Sequence, residues 1–284
     1  MPVLYDAMHF VRWRLIALRY AGRLRGVFAR NSFADMPART AAAQRLRETG
    51  YHEGPTIEPQ RLERITAIYR PRTAGVAGRE QGAPFENLFR GEDIAAENPV
   101  LQLAFSPAIL DAADDYFAGR MTLDSIQVLY SWASQGSLRE SQMWHRDYGD
   151  SKSFHWIAYL NDVTGPEDGP FAFVDKEDAR RITRSPFIRR IADPAFAREL
   201  GDGKVRQFLG RAGQSIFVDP AACYHSGSRC KNPRLAIFVT FNTDRPFVAP
   251  TPLVTENRRR IADAARQIRP DLSDPYLKRM LQLH

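Results

Sequence analysis

Cysteine is scarce in this chain of 284 residues, which contains only Cys223 and Cys230. Two cysteines are too few for a disulfide framework, and their spacing matches no zinc-binding motif. Both are therefore expected to be ordinary thiols in a reducing compartment, and we expect a cytoplasmic protein.

Long apolar runs are also missing, since no stretch reaches the ~18 consecutive apolar residues of a membrane span. Arg12, Arg14 and Arg19 interrupt what would otherwise be the apolar core of an N-terminal secretory signal. Internal repeats and low-complexity tracts are absent from the sequence as well. A soluble protein is the expectation that these absences leave.

The charge is moderately positive, because 40 Lys and Arg against 33 Asp and Glu give a net +7. This excess suits an anionic substrate, a carrier or an acidic surface, but in most basic proteins of this size it is simply a solvated positive surface. Basic residues are dispersed, with no run beyond Arg258-Arg259-Arg260, so we expect no nucleic-acid binding. With 44% hydrophobic residues, the chain can bury a substantial core.

Helical patterns dominate the first 122 residues. The pattern of residues 6–28 predicts a long helix with two apolar stripes separated by arginines. We expect it to contact a second subunit or, less favoured, an anionic membrane surface; the alternative is packing between the core and another element of the chain. Helices are also predicted over 41–49 and 59–69, and two short ones begin at Asn98-Pro99 and Ser106-Pro107. The glycines and prolines of residues 71–84 indicate a loop.

The pattern changes at Leu123. Strands are predicted over 125–135, 154–160, 171–174, 214–218 and 235–241, with a turn over 161–170. Residues 176–200 are predicted to be helical in part, and two further helices are predicted near the C-terminus, over 256–268 and 275–283. Short strands preceded by helices indicate a mainly β fold, a jelly roll with helical additions. We expect one domain over 1–284, with a helical part over 1–122, a jelly-roll core over 123–245 and a helical tail over 246–284.

His145 and Asp147 form the most informative pair, in the segment Trp144-His145-Arg146-Asp147. On an extended strand the two side chains project to the same face and Arg146 projects away, whereas on a helix they would diverge. His225, which follows an apolar run, is the candidate for a third ligand. Two histidines and one carboxylate with open positions suit non-haem Fe(II). The alternative is two structural histidines.

Three ordered segments carry a resemblance to a known family. They are the His-x-Asp of 145–147; residues 156–164 followed by Asp168-Gly169-Pro170; and Arg211-Ala212-Gly213 continuing through 217–220 to His225-Ser226-Gly227 and Arg234. Over about residues 45–242 the chain thereby resembles the phytanoyl-CoA dioxygenase family, which are Fe(II)- and 2-oxoglutarate-dependent oxygenases. The resemblance implies a double-stranded β-helix with the metal in its mouth. It also implies His145, Asp147 and His225 as the metal ligands.

Arg234 is the candidate for binding the distal carboxylate of the cosubstrate 2-oxoglutarate, as the resemblance implies. Its guanidinium fork matches a carboxylate in bidentate geometry. Arg229 and Lys231 are rivals on charge alone, but both lie in the preceding turn. Gln127 is a weaker cofactor candidate, because the family often has a polar residue on this strand.

The resemblance further implies an enzyme that consumes O2 and 2-oxoglutarate, releases succinate and CO2, and oxidises an unactivated C–H bond of a small organic or carrier-linked substrate. Related halogenases have Ala or Gly in place of Asp147, so a carboxylate here favours hydroxylation or another oxidation, such as desaturation, cyclisation or epoxidation, over halogenation. The family often continues from Gly-Pro into Pro-Gly-Ser-His, but here 171–178 read Phe-Ala-Phe-Val-Asp-Lys-Glu-Asp, so we expect a different loop over the site. The alternative function is a catalytically silent, metal-binding jelly roll used as a scaffold.

Other readings of the motifs are weaker. A kinase His-Arg-Asp motif needs an Asn where Lys152 stands, and no Gly-x-Ser-x-Gly motif indicates a hydrolase. Four aromatic residues near the candidate ligands are expected either to line a substrate pocket or to pack in the core: Trp144, Tyr148, His155 and Trp156.

Overall fold

The computed structural model describes residues 37–134, 136–182 and 189–283. The helix predicted over 6–28 lies outside the described residues, so its expected contact with a second subunit or a membrane stays a prediction. Within the described ranges, no helix combines the length and the apolar character needed to cross a bilayer.

Helices occupy much of the chain before the first long strand: α1 is Ala41–Glu48, α2 Pro59–Tyr69, α3 Pro99–Ala104 and α4 Pro107–Tyr116. Their starting residues explain where they begin. The Thr40 hydroxyl accepts a hydrogen bond from the backbone of Ala43 at the start of α1, and a proline occupies the first turn of the other three. All four helices were predicted from the sequence, and these predictions are confirmed.

Nine strands form two antiparallel sheets within the described residues. The strands are β1 Tyr51–Glu53, β2 Phe85–Asn87, β3 Met121–Ser131, β4 Ser153–Tyr159, β5 Phe171–Phe173, β6 Arg206–Phe208, β7 Ser215–Val218, β8 His225–Ser226 and β9 Arg234–Thr243. The large sheet has the order β1-β7-β4-β9-β3-β2, and the small sheet has the order β6-β5-β8. The arrangement is a jelly-roll core with helices packed on it, which confirms the predicted fold class.

The two faces of the large sheet have different surroundings. One face packs against the helices through residues such as Trp156 and Phe241. The other carries Ile157 and Phe238, which pack against the small sheet at Phe171. We call this second face the inner face, because it encloses the interior of the jelly roll.

The register of the large sheet places polar residues on the inner face. Arg234 and Phe238 alternate with outward-facing residues of β9, and Phe238 is opposite both Ile157 and Gln127. Because directly opposite residues in an antiparallel pair project to the same face, Gln127 and Arg234 share the inner face.

The strand bounds differ from the predicted ones where long-range pairing decides them. Strand β3 begins at Met121 instead of residue 125, because its first residues pair with the end of β9, across a bulge between Leu123 and Ser125. Strand β3 ends at Ser131, short of the predicted residue 135. The sequence did not predict β2, β6 and β8, which have two or three residues each and are too short for an alternating pattern.

The remaining helices follow the predicted order with changed bounds. The charged segment over 176–200 contains α5 Lys176–Ala179 and α6 Asp193–Leu200, and part of the segment between them lies outside the described residues. The tail has three helices where two were predicted: α7 Pro252–Glu256, α8 Arg258–Ile268 and α9 Asp274–Met280.

Candidate metal centre

His145, Asp147 and His225 converge in the mouth of the jelly roll. Their potential ligand atoms all lie within 4.8 Å of one another. Nε2 of His145 and Nε2 of His225 are each 3.6 Å from Oδ1 of Asp147. Three nitrogen and oxygen donors grouped on one side fit a two-histidine, one-carboxylate site with open positions.

Backbone pairing positions the two histidines. His145 and His225 exchange both of their backbone hydrogen bonds, at 3.0 and 2.8 Å, which extends the small sheet beyond β8. Asp147 is tied to the chain that leads to His225, because its backbone N–H donates to the carbonyl of Pro220 at 2.9 Å. Arg146, in contrast, projects away and donates to the carbonyl of Ala179, as the extended spacing predicted.

The tautomer of both imidazoles suits metal binding. Nδ1 of His145 is 2.9 Å from the carbonyl of Met143, and Nδ1 of His225 is 3.2 Å from the carbonyl of Cys223. A carbonyl can only accept a hydrogen bond, so each Nδ1 carries the proton. The lone pair on each Nε2 is thus free and faces Asp147, and the backbone contacts hold the rings in that orientation.

The electrostatics keep the donor set ready for a cation. Burial lowers the pKa of His145 and of His225, so both rings are neutral at pH 7. Burial by itself would raise the pKa of Asp147, but the neighbouring imidazoles of His225, His155 and His145 outweigh this effect and lower it. The result is one carboxylate and two neutral imidazoles, the protonation states that a metal ion requires of its ligands.

His155 is a fourth histidine beside this group. It projects from β4 onto the inner face, opposite Thr240, and its Nε2 lies 3.4 Å from Oδ2 of Asp147. Its Nδ1 is buried without a hydrogen-bond partner, and burial lowers its pKa to about 4. The sequence left its role open between pocket and core, and no local pattern relates it to Asp147.

Arg234 is buried at the start of β9, with only 2% of its surface exposed. Its Nη1 donates to the carbonyl of Gly169, its Nη2 donates to the hydroxyl of Ser228 at 3.0 Å, and its Nε has no partner. The contacts of the described residues give it no carboxylate partner. A buried guanidinium that contacts only neutral acceptors is suited to an anion.

The other cationic candidates for the cosubstrate, Arg229 and Lys231, do not share the environment of Arg234. Arg229 is already committed, because its guanidinium pairs bidentately with Asp193 at 2.8 and 2.9 Å and its Nε donates to the carbonyl of Gln142. Lys231 is exposed in the turn. Gln127 is half-buried on the inner face, and its cofactor role stays a prediction.

The tryptophans next to the candidate ligands belong to the core. Trp144 stacks on Phe196 with ring centroids 4.0 Å apart, and Trp156 is fully buried against the helices. Tyr148 is half-buried and contacts the guanidinium of Arg189, 3.8 Å from its ring. Core packing therefore accounts for both tryptophans, whereas His155 reaches the candidate ligands.

Solved structures share this fold. A non-haem alpha-ketoglutarate-dependent carbocyclase, SnoK from nogalamycin biosynthesis, matches with a TM-score of 0.55 and 16% identity, over 80% of this chain and 92% of that chain. The epimerase SnoN, in complex with Fe3+, alpha-ketoglutarate and nogalamycin RO, matches with a TM-score of 0.54 and 17% identity, over 75% of this chain and 85% of that chain. At this identity the likeness establishes the fold alone.

No family model matches the chain, and no curated protein matches it in sequence. The resemblance to the phytanoyl-CoA dioxygenase family therefore stays a prediction.

Proposed function

We propose that the protein is a non-haem Fe(II)- and 2-oxoglutarate-dependent oxygenase. The observation that carries this proposal is the convergence of His145, Asp147 and His225 on one side of a jelly-roll mouth. The buried guanidinium of Arg234 supports it, because it supplies an anion site on the same inner face.

Each residue has a role in this proposal. His145, Asp147 and His225 bind the iron through the two free Nε2 atoms and a carboxylate oxygen. Arg234 binds the distal carboxylate of 2-oxoglutarate, and Gln127 is a secondary contact. Iron bound with 2-oxoglutarate and O2 supplies the oxidising chemistry, with succinate and CO2 as co-products.

Apolar side chains line the interior beside the candidate ligands. Ile157, Phe171 and Phe238 pack together between the two sheets, next to the candidate ligands. The ring of Phe171 lies 5.3 Å from that of His225, measured between centroids. The burial of Arg234 strengthens its electrostatic contacts, and the apolar wall beside the candidate ligands protects reactive species from side reactions.

The finer assignment rests on the sequence resemblance. We propose a phytanoyl-CoA dioxygenase-like enzyme that hydroxylates a small organic or carrier-linked substrate, with Asp147 occupying the position that halogenases leave open. The names of SnoN and SnoK describe an epimerase and a carbocyclase, so epimerisation and ring closure are the competing outcomes on this fold.

The test has two stages. Under anaerobic conditions the protein should bind one Fe(II), and in air a metabolite panel should reveal substrate-dependent succinate formation from 2-oxoglutarate. His145→Ala and His225→Ala should abolish turnover, whereas His52→Ala, a change at a half-buried histidine of β1, should not.

Two results would contradict the proposal. Turnover that survives thorough chelation would remove the metal from the reaction. Iron binding without succinate from any substrate would favour the silent scaffold.

A further inference from the structure

Arg190 lies beside His145, on the side opposite to His225. Trp144 and Ile191 exchange both backbone hydrogen bonds, at 3.0 and 2.9 Å, in an antiparallel bridge. This register places His145 directly opposite Arg190. Since opposite residues of an antiparallel pair project to the same face, Arg190, His145 and His225 project side by side towards the candidate metal centre.

The electrostatics agree with this placement. Burial is the main cause that lowers the pKa of His145 and of His225, and the positive charge of Arg190 lowers both further. The same charge contributes to the lowered pKa of Asp147, where it adds to the larger effects of the imidazoles. The guanidinium is therefore close enough to affect all three candidate ligands.

The guanidinium of Arg190 is incompletely paired. Its Nε and Nη1 are buried without a hydrogen-bond partner, and among the described residues no other side chain has two such atoms. Among the described residues its Nη2 contacts Glu140 alone, at 3.4 Å, and the Glu140 side chain is 44% exposed. Buried donors of a charged group are costly to leave unpaired, so an acceptor is expected at this position.

The proposed cosubstrate, 2-oxoglutarate, does not supply the acceptor that Arg190 lacks. The guanidinium of Arg234 lies beside Gly227, the residue after β8, because a Cβ atom at Gly227 would be 3.9 Å from its Nη1 and Nη2. Arg190 reaches the candidate metal centre across His145, in a different direction. The charges of a divalent ion, Asp147, dianionic 2-oxoglutarate and Arg234 also cancel, which leaves the half-exposed carboxylate of Glu140 as the one counter-charge of Arg190 among the described residues.

We propose that Arg190 binds an anionic group of the primary substrate, a carboxylate or a phosphate ester, and holds it beside the metal centre. The proposal rests on the proposed function, whose substrate class it narrows. The unpaired Nη1 of Arg190 and the second N–H of its Nη2 lie on one edge of the guanidinium, and such an edge matches either anion in bidentate geometry. Arg189, stacked on Tyr148, adds a second positive charge close enough to interact electrostatically with Asp147.

The experiment is a calorimetric titration with two probes, inorganic phosphate and acetate, at low ionic strength and neutral pH. The protein is studied both alone and with Fe(II) and saturating 2-oxoglutarate under anaerobic conditions. The variants are Arg190→Gln, Arg190→Lys and Glu140→Gln, and Arg266→Gln on α8 is a control with the same charge change as Arg190→Gln. Thermal melts verify that each variant is folded.

We expect wild type to bind one of the two anions saturably, and the preferred probe tells a phosphate ester from a carboxylate. Arg190→Gln should weaken this binding at least tenfold, Arg190→Lys should be intermediate because it lacks the fork, and Glu140→Gln should bind more tightly because a competing carboxylate is gone. Arg266→Gln should match wild type.

Three results would overturn the proposal. The first is that wild type binds neither anion saturably, and the second is that folded Arg190→Gln binds as tightly as wild type. The third is a raised Kd for 2-oxoglutarate in Arg190→Gln, which would assign Arg190 to the cosubstrate. Failure of the wild-type protein to bind iron or 2-oxoglutarate would instead count against the proposed function. The titration of the protein alone would still test Arg190 in that case.

Discussion

The imidazole of His155 contacts one oxygen of Asp147, and the two candidate histidine ligands face the other. Nε2 of His155 is 3.4 Å from Oδ2, whereas Nε2 of His145 and Nε2 of His225 are both 3.6 Å from Oδ1. The carboxylate is thereby oriented, with Oδ1 directed towards the candidate metal position and Oδ2 towards the large sheet.

His155→Phe should therefore weaken Fe(II) binding roughly tenfold, the lower end of the effects typical for groups that orient a metal ligand. An anaerobic Fe(II) titration measures the change. His52→Phe, the same substitution on β1, should leave the affinity unaltered. Wild-type affinity in a folded His155→Phe protein would show that Asp147 needs no such support.

Arg234→Met should raise the 2-oxoglutarate concentration for half-saturation by roughly one to two orders of magnitude. Hydrogen bonds to charged groups contribute about 1.5–3 kcal/mol, and each tenfold corresponds to about 1.4 kcal/mol. Arg234→Lys keeps the charge without the fork and should be intermediate. Succinate formation against 2-oxoglutarate concentration measures all three proteins, and iron binding should survive in each.

Arg229→Met is the matched control for Arg234, because Arg229 already pairs with Asp193. An unchanged half-saturation in Arg234→Met, together with a defect in Arg229→Met, would assign the cosubstrate to the other arginine.

Gly227→Val should also impair cosubstrate binding, by occupying space. An added Cβ would lie 3.9 Å from the Arg234 guanidinium and 4.0 Å from the ring of Phe171, so the backbone accepts it but the larger side chain extends over Arg234. We expect at least a tenfold rise in half-saturating 2-oxoglutarate with iron affinity retained. Gly75→Val, where a Cβ meets nothing within 4 Å, is the control. Normal kinetics in Gly227→Val would place the cosubstrate elsewhere.

Asp150 should make the stability depend on pH. Burial raises its pKa to about 6, despite hydrogen bonds from Thr243 and Ser151. Because the pKa in the folded state lies above the ordinary value of 3.8, the folded protein binds this proton more tightly than the unfolded chain does. Protonated Asp150 therefore contributes fully to the free energy of unfolding below pH 3.8, and this contribution is lost as the pH rises through 6. The loss amounts to roughly 3 kcal/mol.

Asp150→Asn removes this titration, so its free energy of unfolding relative to wild type should rise by up to roughly 3 kcal/mol between pH 4 and pH 7. Urea unfolding at several pH values measures the difference. Asp202→Asn, at a side chain 90% exposed, shows the effect of removing a surface charge. A difference between Asp150→Asn and wild type that is constant across this range would contradict the prediction.

Local signals in the sequence were sufficient for much of the fold. The bounds of α2 match the prediction because Pro59 starts the helix and its apolar spacing continues to Tyr69. His145 and Asp147 were predicted to share a face because side chains alternate along an extended chain, which depends on neighbouring residues only. The jelly-roll class followed from the succession of short strands and turns.

Tertiary structure decided what depends on pairing between distant segments. The sequence favoured Arg234 over Arg229 by its position after the turn, but only the structure shows that Arg229 is already paired with Asp193. His155 contacts Asp147 because it projects from β4 onto the inner face of the large sheet. Arg190 lies opposite His145 because Ile191 pairs with Trp144. The physical reason is that strand register is set by hydrogen bonds between segments far apart in the chain, so no local pattern of residues encodes which side chains become neighbours.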